Sequence, residues 1–456
     1  MKKLLAILLA CVMLLALVSC WTPEHTHSFV EGKCECGETD PNYKPELTDE
    51  EILAALPIMS YDEYVAAAID DPVAVECYVQ AHQSWWDNKI TVYAADEDGA
   101  YFLYELACSE ADAAKLTPGT KIEVRGYKAE WSGEFEIVDA TFKFLEGDSY
   151  VAEAEDLTEL LGTDELIDYQ NQYVSFSGLF VEKVEYQNGS RGKDIYLTVR
   201  RMGQSYDFCV ESYLTSPDSE LYQAVEALQV GDLINVSGFL YWYNGANPHI
   251  TEVEKLDVMT YAEYDAAALN DEVVVDVFVQ GNQSWWDNKI TVYAADENGA
   301  YFLYEMNCTE ADKALITAGA KLRVHGYKAE WSGEVEIVDC HFIALESEPY
   351  IAEAKDLTDK LGTDELVKYQ NQLASFTGLT VVKVEYQNGA PGKDIYLTVS
   401  LNGNEYSFCV ESYLTAPDSE LYAAVGALQA GQTIDVTGFL YWYNGANPHV
   451  TEITVK

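Results

Sequence analysis

Basic residues are scarce in this sequence. Only 27 lysines and arginines stand against 77 aspartates and glutamates, a formal charge of −50 that becomes −52 if Lys2 and Lys3 leave with a leader. A surface this acidic repels phosphate backbones and anionic lipid over most of its area, which sets nucleic acid low among the expected partners. Catalytic signatures are missing as well: there is no Gly-x-Ser-x-Gly elbow, His-Glu-x-x-His helix, Walker loop or dinucleotide fingerprint. Beyond the N-terminal segment only His249 and His449 are a repeated histidine pair. His249 follows a proline at a strand start, where hydrogen bonding outweighs general-base work. With so many acids, carboxylate pairs arise by chance, so a non-enzymatic protein is expected. No apolar run after residue 18 is long enough to span a bilayer. A paired cysteine framework is absent too. Cys108 matches Cys308 and Cys209 matches Cys409, but Cys77 and Cys340 have no counterparts, so free, buried thiols are expected rather than shared disulfides. The 48% hydrophobic content excludes general disorder.

What is present begins with a leader. Lys2 and Lys3 precede an apolar run over 4–18, the layout of a signal peptide. The run ends in Leu17-Val18-Ser19-Cys20, which resembles the lipobox of bacterial lipoproteins. The resemblance implies cleavage before Cys20 and acylation of its thiol, which would hold the chain on the outer face of the bacterial cell membrane. An ordinary secretory leader with a chance cysteine is the alternative.

The remainder is a tandem duplication. Gln83-Ser84-Trp85-Trp86-Asp87-Asn88-Lys89 recurs at 283–289, 126–133 at 326–333, and 241–249 at 441–449, always offset by 200 residues. Each copy divides again, because the pattern Gly-x-x-apolar-x-Val-x-Gly occurs at 119–126, 231–238, 319–326 and 431–438. The alternation predicts a half-buried strand in all four places. In the first half-copy, strands are expected at 73–79, 89–95 and 100–105, a helical piece at 109–116, then the glycine-flanked strand and a last strand at 134–145. The second half-copy repeats the scheme at 173–184, 194–199, 205–211, 217–228 (helix), 233–242 and 249–253. Three strands, a helix and two strands resemble the OB-fold.

The expected architecture is mainly β: four tandem five-stranded OB-fold-like barrels in the order A-B-A-B. Short helical pieces beginning near Tyr61, Leu157, Tyr261 and Leu357 link or cap them. The expected division is 1–19 leader, 20–56 anchor and acidic linker, then 57–149 (A1), 150–256 (B1), 257–349 (A2) and 350–456 (B2).

His25, His27, Cys34 and Cys36 lie close together after the lipidated cysteine. Two imidazoles and two thiolates can complete a tetrahedral structural zinc site. The stretch resembles short His/Cys-Gly motifs of other Gram-positive surface proteins, but only one residue separates its cysteines. A flexible, oxidised spacer is the other reading.

Ligand-binding OB-folds use the loops after the first and fourth strands. In A1 these are Trp85, Trp86, Asp87 and Asn88, then 127–133 with Tyr127 and Trp131; A2 repeats them as Trp285, Trp286, Asp287, Asn288, Tyr327 and Trp331. The fourth-strand loops of B1 and B2 carry Tyr241, Trp242, Tyr243 and Asn244, and Tyr441, Trp442, Tyr443 and Asn444. Aromatics beside polar side chains suit the faces and hydroxyls of sugars. One of the adjacent tryptophans can equally pack inward. The expected function is a lipid-anchored, non-catalytic binding or scaffold protein engaging an extracellular glycan or protein. A single-stranded nucleic-acid binder and a ligand-free spacer are the alternatives, and for the former Lys89, Lys128, Arg191 and Lys193 offer only partial compensation for the acids beside the loops.

Overall fold

The computed structural model describes residues 26–45 and 47–456. A small hairpin, β1 (Phe29–Val30) and β2 (Lys33–Cys34), is followed by two short helices, α1 (Asp49–Ala55) and α2 (Tyr61–Ala66). Ser60 caps α2 through a reciprocal bond with Glu63, the device expected where Ser precedes Glu by three.

Barrel A1 consists of β3 (Pro72–His82), β4 (Lys89–Ala95), β5 (Ala100–Ala107), α3 (Glu110–Ala113), β6 (Lys121–Trp131) and β7 (Glu134–Phe144). Its strands close in the order β3-β4-β5-β7-β6. Barrel B1 consists of β8 (Glu155–Asp156), β9 (Tyr173–Tyr186), β10 (Ile195–Arg201), β11 (Gln204–Val210), α4 (Glu220–Glu226), β12 (Leu233–Phe239) and β13 (His249–Leu256). Its order is β10-β11-β13-β12-β9, closed by pairing of β9 with β10, with β8 added outside β9. The second copy follows α5 (Tyr261–Ala266). A2 holds β14 (Glu272–Asn282), β15 (Lys289–Ala295), β16 (Ala300–Asn307), β17 (Lys321–Trp331) and β18 (Glu334–Leu345). B2 holds β19 (Lys355–Asp356), β20 (Leu373–Tyr386), β21 (Ile395–Leu401), β22 (Asn404–Val410), α6 (Glu420–Gly426), β23 (Thr433–Phe439) and β24 (His449–Val455). Four five-stranded barrels with this strand order are four OB-folds in tandem.

Period-2 alternation builds the barrels. Val73, Val75, Cys77 and Val79 of β3 point inward and meet Ile90, Val92, Leu103, Ile122, Val124 and Ile137 in one core. The glycine-flanked strand needs both its glycines. Gly119 turns with φ +86°, and a Cβ on Gly126 would sit 2.6 Å from the Val138 carbonyl oxygen. In the barrels Cys77, Cys108, Cys209, Cys308, Cys340 and Cys409 are free and buried. The helical pieces expected near Leu157 and Leu357 are 3-10 turns (Thr158–Leu160 and Thr358–Lys360). The fourth strand of A1 continues to Trp131, so most of the loop expected at 127–133 is strand.

The barrels pack in two distinct ways. Within each copy, Tyr93 and Phe102 of A1 meet Phe239 of B1, and Tyr293 and Phe302 of A2 meet Phe439 of B2. Between the copies, Phe180 and Leu233 of B1 meet Val274 and Ile343 of A2. Here Arg200 pairs with Asp312 (2.6 Å), Arg323 donates to the Gly231 carbonyl (2.9 Å) and His341 bonds the Gly178 carbonyl (2.9 Å). This junction explains why Arg200-Arg201 is not repeated. The second-copy equivalents of Arg200, Arg201, Phe180 and Leu233 are Ser400, Leu401, Thr380 and Thr433, of which Leu401 packs on the core of B2 itself.

Candidate ligand cleft

In an isolated OB barrel the second and third strands form the ligand face, flanked by the loops after strands one and four. In A1 that face is covered by B1. Tyr93 of β4 stacks on Phe239 of β12 with centroids 4.3 Å apart, and Phe102 of β5 lies against Tyr241 at 5.5 Å. The first loop is tied down as well, since the Ser84 N–H donates to the Tyr213 carbonyl (2.7 Å). So is the second: the Ser132 carbonyl accepts from the Asn244 N–H (2.7 Å), and the Gln170 amide donates to the Gly133 carbonyl (2.6 Å). Both loops of A1, expected to converge at one open mouth of the barrel, are therefore held along an A–B seam with B1. A2 and B2 repeat these contacts.

The seam sorts the expected site residues. Trp85 and Trp285 turn inward, packing on the barrel cores and donating Nε1–H to the carbonyls of Cys108 (2.9 Å) and Cys308 (2.7 Å); they are structural. Trp86 and Trp286 stay outside, at 53% and 51% exposure, with Lys89 and Lys289 over their rings. Asp87-Asn88 and Asp287-Asn288 are the two central residues of tight hairpin turns, all with positive φ, so turn geometry accounts for them. Tyr127 sits mid-strand opposite Pro72 and Val138, away from the loop tip, and Tyr327 is its counterpart. Trp131 and Trp331 end the hairpin and are exposed.

From the B modules, Tyr241 and Tyr441 are half-buried and stack on His249 and His449 at 4.4 Å, so they belong to the seam. Tyr243, Asn244, Tyr443 and Asn444 are exposed, and Tyr443 lies 5.3 Å from Trp331. Trp242 and Trp442 are half-buried, with one edge against Gly133 and Gly333.

The free sides of Trp242 and Trp442 wall a cleft that sequence reasoning did not locate. In B1 it encloses about 720 Å³ between the turn at 161–167, strand β11 and the loop carrying Tyr243 to Asn247. In B2 the equivalent cleft encloses about 550 Å³. Both are lined by an indole (Trp242, Trp442), a phenol (Tyr206, Tyr406), a carboxylate (Asp164, Asp364) and a hydroxyl (Thr163, Thr363). The acid on the strand moves between copies: Ser205 and Asp207 become Glu405 and Ser407. Asn247, also on the wall, holds a buried Oδ1 without a partner. Among the described residues no lysine, arginine or histidine lines either cleft.

The electrostatics beneath the cleft are those of a buried seam. Glu134 is fully buried and accepts from the Trp242 N–H (2.7 Å); burial pushes its carboxyl up to about 8. Glu334 does the same beneath Trp442. His249 Nδ1 lies 2.9 Å from the Tyr93 hydroxyl, and burial pushes its imidazole down to about 4. That places His249 in a structural hydrogen bond, as its position after Pro248 suggested.

Lys193 is exposed, whereas the other cations near the loops are committed elsewhere. Lys128 is buried and its ammonium caps the end of α2 through the carbonyls of Tyr64 (3.0 Å), Val65 (2.7 Å) and Ala67 (2.9 Å), a role repeated by Lys328. Lys89 pairs with Glu105, Arg191 with Glu226 and Arg201 with Glu159. Every arginine of the chain is in an ion pair.

At the N-terminus, His27, Cys34 and Cys36 hold their donor atoms within 4.8 Å of one another, so this group can hold a metal ion. Cys20 and His25 lie outside the described residues.

No protein-family model and no curated protein sequence matches this chain. Among solved structures, it is similar to a replication protein A heterotrimer bound to ssDNA, at 10% identity, covering 69% of this chain and 100% of that one with a TM-score of 0.22. It is also similar to a murine DNA binding protein bound with ds DNA, at 13% identity over 42% of this chain and 98% of that one with a TM-score of 0.24. The p204 HINb domain is similar at 12% identity over 37% and 95%, with a TM-score of 0.19. These similarities concern chain architecture alone, and the barrel assignment stands on the strand order itself.

Proposed function

We propose that this chain is a lipid-anchored, non-catalytic surface protein that binds a neutral, hydroxyl-rich ligand, an extracellular oligosaccharide, in the clefts beside Trp242 and Trp442. The observation that carries this reading is the recurrence of one cleft in both copies, with an indole wall, phenol, carboxylate and hydroxyl groups and no cation. A sugar ring has an apolar C–H face that stacks on indole, and its hydroxyls donate to carboxylates such as those of Asp164 and Asp364. A phosphate backbone instead needs cations at the groove. The anchor rests on the Leu17-Val18-Ser19-Cys20 sequence, which supports display of the clefts outside the cell. Two clefts on one tether would raise avidity for a polymeric ligand if both engage it.

The test is binding of the purified chain to a glycan array and to single-stranded oligonucleotides, each at low and high salt. Salt-insensitive glycan binding, weakened about tenfold or more (~1.4 kcal/mol) by Trp242→Ala with Trp442→Ala, and also weakened by the surface change Asp164→Asn with Asp364→Asn, is expected. Salt-sensitive binding to oligonucleotides alone would establish the nucleic-acid reading instead, and no binding at all the spacer reading. For the anchor, Cys20→Ser is expected to release the protein from the membrane fraction.

A further inference from the structure

The segment before the first barrel is ordered without a core. Of residues 26–45 only Gly32 and Cys34 are buried, while Val30 is 73% exposed and Tyr43 45%. Yet its backbone is a defined small fold. Phe29 pairs with Cys34 and Val30 with Lys33 across the Glu31-Gly32 turn. The Cys34 N–H donates to the Glu38 carbonyl (2.8 Å), the Gly37 N–H to the Cys34 carbonyl (2.8 Å), and the Asp40 N–H to the Gly32 carbonyl (2.9 Å). So few residues burying so little surface need a staple to stay folded.

The staple is at hand. The Cys34-Glu35-Cys36 knuckle and His27, which precedes β1, bring Nδ1 and two thiols into one cluster with all donor atoms within 4.8 Å of one another. Two thiolates on a tetrahedral zinc, each about 2.3 Å from the metal, stand about 3.8 Å apart, so the one-residue spacing is no obstacle. The imidazole is also oriented for ligation. Its Nε2 lies 2.6 Å from Glu38 Oε2, so Nε2–H donates to the carboxylate and the lone pair is left on Nδ1, the atom 3.4 Å from Cys36 Sγ. A carboxylate behind the outer nitrogen is the arrangement that fixes ligating histidines in metal sites.

We infer that His27 Nδ1, Cys34 and Cys36 bind one structural zinc ion, with Glu38 as the positioning residue for His27. A closed tetrahedral site takes one further donor. The ion folds the segment between the lipid anchor and the first barrel, independently of any ligand in the clefts.

The experiment is metal analysis of the purified chain after desalting, followed by substitution with cobalt(II). One zinc per chain and a thiolate-to-cobalt charge-transfer band are expected. Cys34→Ser with Cys36→Ser is expected to lose both while leaving the barrel circular dichroism unchanged, because neither residue enters a barrel core. Glu38→Gln is expected to keep the band but bind zinc roughly 10–100-fold more weakly in chelator competition. Zinc retained by the double serine variant, absence of zinc and of the cobalt band from the parent, or a Cys34–Cys36 disulfide in the isolated protein would overturn the site. Unchanged affinity in Glu38→Gln would overturn the role of Glu38.

Discussion

Replacing Glu134 and Glu334 by glutamine is expected to stabilise the protein, increasingly so as pH rises from 5 to 8. Each carboxyl is fully buried in the A–B seam. Glu134 Oε2 accepts from the Trp242 N–H, while Oε1, beside the Asn171 side chain, and the buried Asn171 Oδ1 lack a hydrogen-bond partner among the described residues. The Asn171 amide nitrogen faces the Phe135 carbonyl (3.3 Å), which fixes which way the amide points. Glu334 and Asn371 repeat the shortage. A proton on the carboxyl supplies the missing donor, and burial favours it by raising the carboxyl from 4.5 to about 8.

For an acid whose folded pKa is raised, the stabilisation is complete below the unfolded value and is lost as pH rises through the folded one. At pH 7, holding the proton across 2.5 pH units at about 1.4 kcal/mol each costs roughly 3 kcal/mol per site. Glutamine carries its donor at every pH, giving Nε2–H to Asn171 while Oε1 accepts from the Trp242 N–H. Urea melts followed by tryptophan fluorescence at pH 5, 6, 7 and 8 measure the difference. His249 and His449, both pushed down to about 4, act in the opposite direction below pH 6.5, but they are common to both proteins and cancel. A Glu134→Gln, Glu334→Gln protein no more stable than the parent at pH 8, or a gap that does not shrink toward pH 5, would refute the reasoning.

Lys128→Met is expected to destabilise barrel A1 by about 3 kcal/mol, because three carbonyls at the end of α2 lose their charged donor; denaturant unfolding of the single variant measures it. Tyr93→Phe leaves buried His249 Nδ1 without its partner and is expected to cost about 1–2 kcal/mol, read from the same melts. Giving the first copy the residues of the second, Arg200→Ser with Arg201→Leu, removes the ion pairs to Asp312 and Glu159. It is expected to open the junction between B1 and A2 to limited proteolysis without changing the barrels' own unfolding, and an unchanged cleavage pattern would count against the junction.

Much of the fold was legible because it is local. Alternation, the Asp-Asn turns and the Ser60–Glu63 cap act within a few residues, so barrel number, strand order and duplication could be read directly along the chain. The site was less legible. Trp85 and Trp86 are adjacent and chemically identical, and only the strand's pleat sends one into the core and leaves the other in water. Lys128 looks like a surface cation until α2 folds over it. Arg200-Arg201 looks like a stray basic pair until A2 supplies Asp312.

The sequence by itself determined the four OB barrels and singled out His27, Cys34 and Cys36, whose donors the structure brings together, since periodicity and residue type are properties of the chain. Tertiary structure alone decided that B1 and B2 cover the ligand faces of A1 and A2 and that the open clefts lie on the other side of Trp242 and Trp442. The physical reason is that Tyr93 and Phe239, far apart in sequence, bury each other only when the barrels dock, and no local pattern encodes which of two apolar faces finds a partner.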